Sequence, residues 1–134
     1  MKKKIISLLA AAAMSMAIIA VPFSANAAAN ASTTLGGVSA TANVTKGTNN
    51  LSAAYATAST SFGVYANSIE ATVPLKWRAG YNEYTSNSIH DYREMSTYAS
   101  ATVSSNYTGS IALAGYGWHV IGWNSMSWNP STSC

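Results

Sequence analysis

Charge is the scarcest commodity in this sequence, and what there is sits unevenly. Lys and Arg together number seven and Asp and Glu four among 134 residues, and three of the cations, Lys2, Lys3 and Lys4, open the chain. Past them stand four cations (Lys46, Lys76, Arg78, Arg93) against four anions (Glu70, Glu83, Asp91, Glu94), so this part is neutral. A nucleic-acid binder needs a basic stripe to neutralise phosphates, and a cationic membrane-lytic peptide needs surplus Lys and Arg. Neither pattern is present, and nucleic acid is not an expected partner.

Cysteine is nearly absent too. Cys134, the last residue, is the only one, which excludes an internal disulfide and leaves two roles: a cross-link to a second chain, or an unpaired tail thiol. Two histidines, His90 and His119, fall short of the three or four ligands a zinc site takes, and no loop has the acidic spacing of a calcium site. His90 and Asp91 are neighbours, so on a strand they face opposite ways and form no oriented dyad. No Gly-x-Ser-x-Gly elbow occurs, and four acids single out no pair for glycoside hydrolysis. The expectation is therefore a non-enzyme with no metal or other cofactor. Outside the first residues no apolar run is long enough for a spanning helix, so an integral membrane protein is not expected either.

What is present begins with the leader. Lys2–Lys4 form a positive n-region, an apolar stretch runs from Ile5 to Val21, and Ala25-Asn26-Ala27 is a small-x-small cleavage site. This predicts a Sec-type signal peptide, 1–27, cleaved after Ala27, and a secreted, extracellular product. Residues 28–35 read as a flexible N-terminal arm, and 36–134 as one domain of ordinary size.

Within that domain the dominant period is two. Val38, Ala40, Ala42 and Val44 alternate with Ser39, Thr41, Asn43 and Thr45; Ile69, Ala71, Val73, Leu75 and Trp77 alternate with polar neighbours; Ala99, Ala101 and Val103 do the same. Turns are expected at 46–50, 66–68 and 105–109, and Pro74 marks an edge or a bulge. The sum is an all-β chain, a small antiparallel sandwich or barrel of about five to seven strands.

Two regions are candidates for binding. Six of the eight charges past the leader fall between Lys76 and Glu94; within that stretch residues 80–94 form a long polar segment with Tyr81, Tyr84, His90, Asp91, Tyr92 and Arg93, and long loops in compact domains are often functional. The C-terminal third is rich in rings: Trp118, Trp123 and Trp128, with glycines beside the first two. Trp118 and Trp123 read first as core fillers and second as contact residues; Trp128, in a polar tail, reads as exposed. His119 reads as a hydrogen-bonded packing residue.

The run Tyr98-Ala99-Ser100-Ala101-Thr102-Val103, followed by Ala114-Gly115 and Trp118 behind a Sec leader, resembles small secreted β-proteins of Gram-positive bacteria, including the lactococcin-type bacteriocins. That resemblance implies a short β-sandwich and an antimicrobial role; the neutral charge departs from it. Taken together, the sequence predicts extracellular binding to cell-envelope, glycan or other surface material by the 80–94 segment and the tryptophans, the alternatives being a carbohydrate-binding module or an adhesive surface protein.

Overall fold

The computed structural model describes residues 27–49 and 51–134. The predicted signal peptide, but for its last residue, lies outside them. Nine strands run in order: β1 (Ala27–Leu35), β2 (Val38–Thr48), β3 (Ala53–Val73), β4 (Leu75–Ala79), β5 (Asn82–Thr85), β6 (Ile89–Thr108), β7 (Ile111–Trp123), β8 (Met126–Trp128) and β9 (Ser131–Ser133). All pairings are antiparallel. The chain is all-β, as its period of two predicts, but nine strands exceed the expected five to seven, and they build one curled sheet, a half-barrel.

The curl comes from β3 and β6, which pair with each other along nearly their whole length. Ser61 faces Tyr98, and the next paired residues are Ala66 and Ser96. Five steps along β3 therefore match two along β6, a bulge of three residues that bends both strands. Before the bend β3 turns even-numbered residues inward (Ala54, Ala56, Ala58, Thr60); beyond it the odd ones are buried (Ile69, Ala71, Val73). One edge of β3 then serves two neighbours, β2 along residues 54–62 and β7 along residues 68–72. The expected turn at 66–68 is thus part of a continuous strand.

Other expectations are corrected in the same way. Residues 28–35, read as a flexible arm, form β1 in full register with β2. Gly36 and Gly37, at φ 57° and 84°, supply the two positive dihedrals that a tight two-residue hairpin requires. Lys46, assigned to a turn, is buried in β2, and its ammonium donates to the Leu113 carbonyl at 2.6 Å. The run 80–94 is a turn followed by β5, three connecting residues and the start of β6.

The interior is lined from the β2 side mostly by alanine, and the larger fillers Ile69, Leu75, Trp77 and Ile121 come from the opposite half. Small side chains let the two halves approach closely. A methyl added at Gly115 would lie 3.1 Å from the Ala56 methyl and 3.5 Å from Val44.

His119 ties the halves together. It is buried, its Nδ1 lies 2.9 Å from the Thr60 hydroxyl of β3, and its Nε2 lies 2.8 Å from the Thr132 hydroxyl of β9. Thr60 donates its one hydroxyl proton to the Glu70 carbonyl, so it can only accept from the imidazole. Nδ1 therefore carries the proton and Nε2 accepts from Thr132. Burial lowers the His119 pKa from the ordinary 6.5 to about 4, because water is not there to solvate the cation.

Two predictions follow from this bridge. A methyl at residue 117 would sit 2.5 Å from both His119 Nε2 and Thr132 Oγ1, so Gly117→Ala should lower unfolding free energy by about 2 kcal/mol or more in urea titrations. The neutral imidazole is the form the fold favours, so its stabilisation is complete above pH 6.5 and fades as pH falls from 6.5 to about 4. About 3 kcal/mol should disappear across that window in wild type, at about 1.4 kcal/mol per pKa unit; the loss should be largely absent in His119→Gln.

Candidate binding surface

The alternation that buries one face of each strand sends its neighbours to the other, and on the second half of the sheet that outward face is aromatic. Registers fix the rows. His90 of β6 stands opposite Thr72 of β3, which stands opposite Trp118 of β7 and then Ser131 of β9. One row along, Tyr92 faces Glu70, and Glu70 faces Val120. Tyr116 follows Trp118 on the same face. Trp118 is 49% exposed, Tyr92 52% and Tyr116 40%.

Polar groups between the rings are held in fixed orientations. The Glu70 carboxylate accepts from the Thr72 hydroxyl at 3.0 Å, and the Glu94 carboxylate accepts from the Tyr92 hydroxyl at 3.1 Å. That hydrogen bond to Glu94 raises the Tyr92 pKa above its ordinary value. Farther along the same face Lys76 pairs with Glu83 at 2.8 Å; each holds the other in its charged form, raising the lysine pKa and lowering the glutamate's. Both are well exposed, so the pair adds charge pattern and little stability.

The remaining predicted residues separate into structural groups. Asp91 and Arg93 point the opposite way from His90 and Tyr92 and pair at 2.8 Å. Asp91 also reaches across the bend of β6 to accept from the Ser100 backbone N–H at 2.9 Å. In the described residues β6 pairs with β3 alone, so its second edge is open, and an inward carboxylate on an edge amide is a means of discouraging another strand from docking there. Tyr84 stacks on Trp77 with ring centroids 4.4 Å apart, and Tyr107 closes the group at 5.1 Å from Trp77 and 6.0 Å from Tyr84. This stack fastens the β4–β5 hairpin to the end of β6. Tyr81 sits at the hairpin tip, fully exposed.

Trp118 and Trp128 exchange the roles the sequence assigned to them, while Trp123 packs against the core as read. Trp128, read as exposed, is partly buried against the core, and so is Trp123, whose ring meets Phe62 edge-on at 5.3 Å. For Trp123 the reason is the Gly36–Gly37 hairpin: Gly36 lies so close to Trp123 and Met126 that an added Cβ would be 2.8 Å from each. Trp118 instead faces solvent on the strand whose inward position is taken by His119. Cys134 is half-buried on the edge of β7, its backbone exchanging two 3.0 Å hydrogen bonds with Gly115, and burial pushes its thiol pKa up.

Sequence reasoning missed Glu70, Thr72 and Tyr116 as members of the face. The available signal was the spacing Tyr116, Trp118, Val120, which shares a face only if 111–123 is one strand. Among the described residues no group of three or more His, Cys, Asp or Glu gathers as metal ligands, and no helix is long and apolar enough to cross a membrane. Compared with known proteins, the chain matches no family model, no curated sequence and no solved structure.

Removing the Asp91 carboxylate leaves the Ser100 edge amide without its acceptor. Asp91→Ala should cost about 1 kcal/mol of stability and increase self-association measured by light scattering; a variant as monodisperse as wild type would contradict the protective role.

Proposed function

We propose that this chain is an exported protein, cleaved after Ala27, that works outside the cell by attaching to cell-envelope glycan without transforming it. The observation that carries this reading is the row arrangement of Tyr92, Trp118 and Tyr116 on one outward sheet face, with Glu70, Thr72 and His90 between and beside them. Aromatic faces stack on the apolar faces of sugar rings, and fixed hydrogen-bonding groups beside them meet sugar hydroxyls. A sheet face holds such rings in place at little entropic cost, because the strands are already ordered by pairing. The leader pattern in the sequence supports export. In the antimicrobial form that the resemblance to lactococcin-type bacteriocins suggests, attachment to the envelope precedes inhibition of growth.

A second reading, self-association as an adhesive surface protein, would use the open edge of β6, which the Asp91–Ser100 hydrogen bond obstructs, and so has less support. The half-burial and raised pKa of Cys134 favour non-covalent assembly over a disulfide in that case.

Sedimentation with purified bacterial cell walls tests the first reading. The exported protein should pellet with walls, and Trp118→Ala should weaken retention about tenfold, the effect of losing one aromatic contact. Trp128→Ala, which removes a packing residue, should lower thermal stability and leave retention by the folded fraction unchanged. Equal retention of wild type and Trp118→Ala would remove the proposed face from the function.

A further inference from the structure

The opposite half of the sheet also has an outward face, and it is built from a different chemistry. On β2, β3 and β6 the residues turned away from the core include the cross-strand ranks Asn43–Ser59–Ser100 and Thr45–Thr57–Thr102. No Asp, Glu, Lys or Arg points outward from these strands in this half; Lys46 turns inward to the Leu113 carbonyl. Tyr55 stands at the end of these ranks, opposite Gly47 on one side and Ser104 on the other. Gly47 has no side chain, so no cross-strand neighbour fills that flank of the ring.

Two hollows meet at Tyr55. One, of about 370 Å³, is lined by Thr48, Asn49, Tyr55, Thr57, Thr102 and Ser104. The other, of about 440 Å³, lies on the far flank and is lined by Thr45, Lys46 and the start of β1. The first has a rigid wall and floor. Asn49 Oδ1 accepts from the Leu51 and Ala53 amides at 2.9 and 3.0 Å, and the Gly109 amide donates to the Ser52 carbonyl at 2.6 Å, fastening this turn to the next. The Thr57 and Thr102 hydroxyls bond each other at 2.8 Å across the floor.

The lining selects the ligand class. In the first hollow an ion would find no countercharge, whereas the second has Lys46 in its lining. A purely apolar ligand would strip water from the threonine, serine and asparagine groups without replacing their hydrogen bonds, which is unfavourable. A molecule with one apolar flank and many neutral hydroxyls satisfies both the ring and its surroundings. We propose that Tyr55 and the first hollow form a second saccharide subsite, selective for neutral hexose chains, on the side of the sheet away from Trp118. The inference deepens the envelope-glycan reading by giving the protein two separate glycan contacts, so one molecule can bridge two chains or two stretches of one chain. It rests on that reading for its biological sense and on Tyr55 for its chemistry.

The test is an NMR titration of the exported protein with cellohexaose, maltohexaose and chitohexaose, with polygalacturonate as the charged comparison. The amides of Thr57, Thr102 and Ser104 should shift with at least one neutral oligosaccharide and not with polygalacturonate. Tyr55→Ala should weaken that response about tenfold, and Tyr55→Phe should retain it. Thr102→Lys, a change at an exposed position that leaves the core intact, should block the hollow; its melting temperature verifies folding. Shifts confined to the Trp118 face, or equal shifts with polygalacturonate, overturn the Tyr55 subsite and leave the Trp118 face standing. Response at Tyr55 with no effect of Trp118→Ala on cell-wall retention supports the subsite and overturns the first reading. No shift at Tyr55 with any of the neutral chains overturns the subsite.

Discussion

Everything in this molecule depends on the bulge that lets β3 change which of its faces is buried. A straight 21-residue strand would present one set of alternate residues to a core along its whole length, and a flat sheet of that kind has no inside. Three extra residues opposite β6 break that uniformity. They fold the pair back over itself, so Thr60 before the bend lies within hydrogen-bonding distance of the Glu70 carbonyl beyond it. The half-barrel, the alanine-lined interior and the burial of His119 are consequences of that one irregularity.

The interior shows what such a tight curl demands. Where the halves approach, side chains shrink to methyls or to nothing, as at Ala56 and Gly115; where they diverge, Phe62, Trp77 and Ile121 fill the space. His119 is the polar exception. Its two threonine partners satisfy both ring nitrogens, so the group costs little while it is neutral and becomes a liability only when protonated. This makes the contact between the halves both specific and sensitive to acid.

The curl also sorts the surface. Bending one sheet gives it two outward faces that look in different directions, and the sequence has stocked them differently: rings, carboxylates and a histidine on one, small neutral hydroxyls around Tyr55 on the other. A protein with few charges can still present two distinct surfaces, because strand alternation delivers every second side chain to water whatever its type.

The all-β class and the inward set Ile69, Ala71, Val73, Leu75 and Trp77 were legible in the chain, because alternation acts within a few neighbouring residues; Pro74, read as an edge or a bulge, instead stands between β3 and β4 with the β7 register unshifted across it. The packing role of His119 was legible in the same way. What lay beyond reach was how far each strand extends and what covers each face. A turn and a bulge can look alike in composition, so Ala66-Asn67-Ser68 read as a turn, and 28–35 read as an arm because its partner strand is needed to order it. The tryptophans make the point most directly. Local pattern places Trp118 on the opposite face from His119, but only the arrival of the Gly36–Gly37 hairpin over Trp123, and of the tail along β7, decides which rings are covered and which meet solvent. Periodicity is a property of the backbone next door; burial is a property of whatever the fold brings from far away.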